Sequence, residues 1–265
     1  MKNKLLNIIE NKAVTTLFQP IYNVQKKTIM GYEALTRGPE NTELYSPDKL
    51  FHYATQHNLL SELEILCRDK AITRFAKLKL PGKLFLNISP LVLLSKHHPQ
   101  GETIKFVQRA GLSGDQIVIE LSEKYPVPNH SMLSEALAKY RQFGFNVAID
   151  DLGAGYSGLK LWSQLRPNIV KIDRYFVENC HQDSFKRKFL KAIFDLAQSA
   201  KAQVVVEGIE TRDEFELLQR LGMVYAQGFY LARPELNPMR SYPKYLEPDY
   251  QYRTYTAKFQ LIAGG

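Results

Sequence analysis

Cysteine is nearly missing from this chain: Cys67 and Cys180 are the only two in 265 residues. Two isolated thiols cannot form a disulfide framework, and no zinc-ligand spacing surrounds them. Both are expected to be reduced. No window approaches 18 uninterrupted apolar residues, so no segment is expected to span a membrane. The opening stretch from Met1 to Glu10 is charged, and its apolar run is too short and broken for a signal peptide. A cytoplasmic home is the expectation. Internal repeats and low-complexity segments are lacking, as are RNA-binding and basic-leucine signatures, so a nucleic-acid polymer is not an expected partner. Disorder is excluded by an apolar content of 45 % and a modest net charge.

That net charge is +8, which favours anionic partners such as phosphates. It is spread along the chain. The densest run, Lys186-Arg187-Lys188, lies between Phe185 and Phe189 on a helical pattern and reads as a solvated face.

Runs rich in β-branched and aromatic residues recur at 15–22, 28–35, 83–88, 116–121, 146–151, 169–173, 203–208 and 225–231. The short polar link from Asn23 to Lys27 predicts a hairpin between the first two. The later runs are separated by helical patterns long enough for parallel crossovers. Ser46-Pro47 signals a helix start. Met132, Leu133, Ala136, Leu137 and Tyr140 form one apolar stripe, and Phe185, Phe189, Ile193, Leu196 and Ala200 another. Thr211 and Glu214 have capping-box spacing, with Gly222 as terminator. The expected fold is α/β, a modified TIM (β/α)8 barrel with one antiparallel strand, a size that typically needs ~250 residues. It is expected over 1–245. The tyrosine-rich stretch 246–265 is either a tail packed beneath the barrel or the start of a linker to a further domain.

Polar residues punctuate the ends of these runs: Glu33, Asn87, Glu120, Asp150-Asp151, Lys171, Glu207 and Gln227. In a barrel such ends share one rim, where active sites are built. One acid at a strand end is usually a cap or an ion pair. Repetition around the rim is harder to explain that way, and adjacent Asp150-Asp151 is costly for stability alone. Oxygen ligands without Cys or His suit Mg²⁺ or Mn²⁺, and a two-metal centre acting on a phosphate would account for the set. Lys171 could also simply pair with a neighbouring carboxylate.

Gly153-Ala154-Gly155-Tyr156-Ser157-Gly158 fits a G-x-G-x-x-G fingerprint, with Asp173 twenty residues after Gly153. A dinucleotide-dependent oxidoreductase is disfavoured, because the two carboxylates before the loop would repel a pyrophosphate. The fifth run is also the wrong place for that motif. A glycine-rich rim loop is the better reading.

The ordered set Phe18-Gln19-Pro20-Ile21, Glu33-Ala34-Leu35-Thr36-Arg37, Leu86-Asn87-Ile88-Ser89-Pro90 and Glu120-Leu121-Ser122-Glu123 resembles the EAL phosphodiesterases. The likeness continues through Asp150 to Ser157, Lys171-Ile172-Asp173, Glu207-Gly208-Ile209-Glu210 and Gln227-Gly228, covering about 14–236. The resemblance implies a barrel, usually dimeric, that cuts cyclic di-GMP to linear pGpG with two divalent cations, Mg²⁺ or Mn²⁺. It implies that Glu33, Asn87, Glu120 and Asp150 hold one cation, and Asp150 with Asp151 the second. Lys171 would orient the attacking water and Glu207 act as general base. Glu123 would anchor the glycine-rich loop. Arg37 would grip a substrate phosphate, with Leu35, Gln227 and Glu210 as further substrate-side residues. A fused sensory domain in a longer chain would fit the family.

Leu152, Ala154, Ser122 and Gly158 depart from the usual Phe, Thr, Thr and Ser, and none of these changes removes an expected ligand. A silent cyclic di-GMP receptor or interaction module stands as the alternative to an active enzyme.

Overall fold

Residues 24–27 separate the first two strands, too few for a crossover, so those strands must pair antiparallel. In the computed structural model, which describes residues 1–95, 101–122, 129–153 and 158–246, they do. Eight strands close into a barrel in chain order. They are β1 (Thr15–Asn23), β2 (Thr28–Arg37), β3 (Lys83–Asn87), β4 (Ile117–Ser122), β5 (Asn146–Leu152), β6 (Ile169–Ile172), β7 (Gln203–Val206) and β8 (Tyr225–Ala226). Strand β1 runs antiparallel to both β2 and β8, and every other neighbouring pair is parallel.

The helices are α1 (Lys2–Glu10), α2 (Pro47–Gln56), α3 (Leu60–Leu78), α4 (Pro90–Leu93), α5 (Glu102–Arg109), α6 (His130–Gln142), α7 (Gly158–Leu165), α8 (Arg174–Val177), α9 (Ser184–Ser199) and α10 (Arg212–Arg220). Among the described residues, no helix is long and apolar enough to cross a membrane. The first three helices share a satellite core of Leu5, Ile8, Leu50, Ala54 and Leu63 beside the main one.

The barrel interior explains where polar groups emerge. Ile21, Phe85, Val118, Ala148, Ile169 and Val205 form one buried apolar layer. Strand side chains repeat every two residues. Stepping two residues from each of these positions reaches Gln19, Asn87, Glu120, Asp150, Lys171 and Glu207. A polar layer therefore stands directly on an apolar floor. Gly31 makes room for that floor: a Cβ there would lie 2.9 Å from the Phe85 ring. Phe85 is fully buried, so Phe85→Ala should cost about 3–5 kcal/mol, read as a lowered midpoint in urea unfolding.

Several expectations need correction. The strand expected over 225–231 stops at Ala226. Beyond it Leu231 and Ala232 bond back to the Gly228 carbonyl, and Tyr230 N–H bonds to Ile209 O, so the chain turns out of the sheet. Met132 is 50 % exposed and stands off the core stripe, while Leu133, Leu137 and Tyr140 are buried as expected. On α9 the buried stripe is Leu190, Ile193 and Ala197; Phe185 and Leu196 face outward. The helix lands rotated relative to the expected face, because its apolar residues are too many for periodicity to single out one side. The basic run there is only partly a solvated face. Lys186 donates to Glu178 O at 2.7 Å and Arg187 to His181 O at 2.9 Å.

The capping box at Thr211 and Glu214 is present, and Gly222 follows the helix end at φ +96°. Both cysteines are free and buried, and burial pushes their thiols up to about 12 and about 11. After β8 a strap crosses β1 and β2. It is pinned by the bridge between Phe18 and Glu235 and by Tyr32 Oη donating to Met239 O at 2.8 Å. Residues 247–265, most of the expected tail, lie outside the described residues.

Candidate active site

At the centre of the polar layer stands Lys171, 1 % exposed. Its Nζ lies 2.7 Å from Glu207, 2.8 Å from Glu120, 3.0 Å from Asp150 and 3.3 Å from Glu33. Pairing with neighbouring carboxylates is therefore realised, with four of them. Burial disfavours the ammonium, but the four carboxylates outweigh it and hold its pKa well above the ordinary lysine value. One ammonium has three protons, so it cannot satisfy four carboxylates.

The remaining oxygens show the deficit. Oε1 of Glu120 and Oδ1 of Asp150 are buried and meet only the shared Lys171 ammonium, and Oε2 of Glu120 is buried with no partner. Burial pushes the Glu120 carboxyl well above its usual range, only partly offset by Lys171. Glu207 is pushed up for the same reason. Buried oxygens left this way are destabilising unless something else meets them.

Asp150 and Asp151 would point to opposite faces of a regular strand. The β5–β6 register shifts between Ile149 and Leu152, and Asp151 takes a left-handed backbone at φ +58°. That irregularity brings both carboxylates to the rim. Ser122 Oγ donates to Asp151 Oδ2 at 2.9 Å. Carboxylate oxygens of Glu33, Glu120 and Asp150 lie within 4.8 Å of one another, and so do those of Asp150, Asp151 and Glu207. The two sets share Asp150. All-oxygen donors at such spacing, with an orphaned buried oxygen among them, fit hard divalent cations.

Amides support the carboxylates. Gln227 Nε2 donates to Glu33 Oε2 at 2.7 Å and to Gln19 Oε1 at 3.2 Å, and Gln19 donates to Ala232 O at 3.0 Å. Asn87 Nδ2 donates to Glu33 Oε1 at 3.2 Å. Beside the rim opens a cavity of about 300 Å³, lined by Leu35, Arg37, Phe51, Arg68, Asn87 and Asp151 among others. Arg37 Nη1 donates to Thr36 O at 2.8 Å.

The structure thus gathers Glu33, Asn87, Glu120, Asp150, Asp151, Lys171, Glu207 and Gln227, with Leu35 and Arg37 on the adjoining wall. Glu210 is exposed and ion-paired to Arg174 instead. Glu123 lies outside the described residues. Sequence reasoning gave no role to Gln19, although an amide two residues from Ile21 on an inward face was a usable signal. It also missed the buried pair on the cavity wall, Arg68 Nη1 to Glu64 Oε2 at 3.0 Å, whose carboxylate accepts Ser89 N–H at 3.1 Å. Burial pushes Glu64 up to about 7. Nothing in helical periodicity marks such a pair.

An eight-stranded α/β barrel with one reversed strand and an acidic rim at its strand ends defines a class of barrel whose rim offers oxygen ligands to cations. The particular family follows from comparison: the EAL domain model matches residues 2–234, and the chain belongs to the EAL domain family. It is 29 % identical over 237 residues to the probable cyclic di-GMP phosphodiesterase PdeA of Escherichia coli K12, covering 88 % of this chain and 32 % of that protein. It is 25 % identical over 225 residues to the blue light- and temperature-regulated antirepressor BluF of the same organism, covering 84 % of this chain and 55 % of BluF. Its fold matches a standalone EAL protein from Vibrio cholerae O395 in its c-di-GMP bound form, with TM-score 0.79, 31 % identity, and coverage of 88 % of this chain and 98 % of that one. The chain spans about a third of the length of PdeA and about half of BluF.

Proposed function

We propose that this chain hydrolyses cyclic di-GMP to linear pGpG with two divalent cations, Mg²⁺ or Mn²⁺. The observation that carries this reading is the pair of carboxylate sets sharing Asp150, with one shared ammonium for four carboxylates and Oε2 of Glu120 buried without a partner. Glu33, Asn87, Glu120 and Asp150 hold one cation. Asp150 and Asp151 hold the second, with Glu207 close enough to join them. Bound cations of this kind lower the pKa of water and stabilise charge on phosphate oxygens.

The protein's own groups do the rest. Lys171 stays protonated and orients the attacking water. Glu207, its carboxyl raised by burial, accepts the water proton. The water oxygen bonds to phosphorus, the bond to the 3′ oxygen breaks, and that oxygen leaves with a proton, giving a 5′-phosphate end. Arg37 grips a phosphate from the cavity wall with its forked guanidinium. Leu35, Gln227 and Glu210 support the substrate side, and Glu123 the glycine-rich loop. A cytoplasmic location, self-association as a dimer and fusion to a sensory domain belong to the same reading. Two buried free thiols suit the first, and the short span relative to PdeA the last.

Purified protein incubated with cyclic di-GMP and Mn²⁺ should form pGpG, and excess chelator should abolish it. Equal turnover with chelator would sink the cation mechanism. The second reading is a silent cyclic di-GMP receptor or interaction module, and one relative's name as an antirepressor favours the interaction module. Tight binding of cyclic di-GMP with no cleavage in Mn²⁺ would establish it instead.

A further inference from the structure

Two rim glycines bear against one short helix. Gly153 follows the Asp150–Asp151 pair, and Gly208 follows Glu207. A Cβ on Gly153 would come 2.0 Å from Cε2 of Phe176, and one on Gly208 would come 2.6 Å from Cβ of Arg174. Both backbones lie against α8 more closely than any side chain would allow, with φ of +101° and +66°.

That helix is braced from several directions. Asp173 accepts Tyr175 N–H at 2.8 Å, and its own N–H bonds to Leu152 O at 3.3 Å. The Phe176 ring stacks on Phe189 of α9 with centroids 3.9 Å apart and planes 13° from parallel. Arg174 is ion-paired to Glu210. The helix is wedged between the end of β5 and the end of β7, the strands that deliver Asp150, Asp151 and Glu207.

The two carboxylate sets differ in what holds them. Glu33 and Glu120 sit in regular ladders, paired with Phe85 and with Asn87 and Ala148. Asp151 sits where the ladder is broken, in a left-handed conformation that ordinary strand geometry does not impose. A side chain in such a conformation stays in place only when its surroundings over-determine it. Besides the hydrogen bond from Ser122, the chain leaving Asp151 is seated through Gly153 on the Phe176 ring.

We propose that Phe176 is a positioning residue for the second cation set. Its ring, backed by Phe189, sets the placement of Asp151 relative to Glu207, while the barrel itself holds the first set. Asp173 acquires a role by the same logic, as the cap that forms the helix carrying that ring. The proposal rests on the two-cation reading above, and one titration separates the two.

Mn²⁺ alone is titrated into the protein by calorimetry, with thermal unfolding followed in parallel. The parent should show two binding events. Phe176→Ala should weaken one of them about 10-fold or more, the usual scale for loss of an outer-shell support, with little change in the other. Phe176→Leu, which keeps bulk beneath Gly153, should recover most of the loss. Gly153→Ala pushes on the same contact from the opposite side and should weaken the same event, which keeps the test usable if Phe176→Ala does not fold. A lowered melting temperature with both events as in the parent would make Phe176 a core filler only and overturn the proposal. Equal weakening of both events would overturn it too. A parent that takes up fewer than two Mn²⁺ would overturn the two-cation reading and this proposal with it.

Discussion

Lys171→Ala should cleave cyclic di-GMP at least ~100-fold more slowly than the parent while binding it almost normally, the scale for losing one positioned catalytic group. Burial disfavours the ammonium, but four carboxylates within 3.3 Å outweigh it and hold its pKa above the ordinary lysine value. An interaction made mainly in the transition state lowers turnover and leaves ground-state affinity alone. Single-turnover cleavage in Mn²⁺ and equilibrium binding in Ca²⁺ measure the two quantities. The variant should also take up Mn²⁺ more tightly, because Nζ lies 2.7–3.3 Å from the same oxygens the cations require. Parent-like cleavage would make Lys171 a structural counter-ion. Equal loss of cleavage and binding would place its action in the ground state.

Glu120→Gln should stabilise the metal-free protein and destroy its activity. Glu120 is 0 % exposed; its Oε1 meets only the Lys171 ammonium, at 2.8 Å and shared with three other carboxylates, and its Oε2 has no hydrogen-bond partner. Burial raises its pKa well above 4.5, only partly offset by Lys171, so keeping it ionised in the folded state costs stability. Stability from this group is therefore greatest below about pH 4.5 and declines as pH rises toward the folded pKa. The amide removes that penalty, so the variant's advantage should open as pH rises and close in acid. At neutral pH the gain should be about 1 kcal/mol or more, the scale of a single pKa unit between folded and unfolded states, because three other carboxylates still meet the Lys171 ammonium.

Cations reverse the order. At 100 times its dissociation constant, Mn²⁺ should stabilise the parent by about 2.7 kcal/mol, or roughly 5–10 °C. The variant should lose most of that shift, and turnover should fall on the order of 10³-fold, as several kcal/mol of charge stabilisation disappear. Melting curves with and without Mn²⁺ at two pH values suffice. A variant less stable than the parent without metal, or one still shifted by Mn²⁺, would show that Glu120 is not an unmet ligand.

The rim was legible because strand periodicity is simple. On the parallel strands an inward apolar residue announces a polar one two positions later, as Val118 does Glu120 and Ile169 does Lys171. Helix faces were harder. On α9 apolar residues occur on more than one side, so Phe185 and Leu196 could be taken for core when the barrel contacts Leu190 and Ile193 instead. Glu64 and Arg68 were invisible because a buried ion pair at helical spacing looks like a solvated one.

What the sequence determined by itself is the alternation of strands and helices, the reversed first strand forced by a four-residue link, and the identity of the rim acids. These are properties of local spacing, and local spacing is written along the chain. The tertiary structure alone decided that Asp150 and Asp151 converge, because a register shift against β6 sets the side on which Asp151 emerges. It alone joined Gln19 to Gln227 and Gln227 to Glu33, residues up to 208 positions apart that meet only when the barrel closes. And it alone set one lysine among four carboxylates, since charge balance at a rim is a sum over strands that no single segment carries.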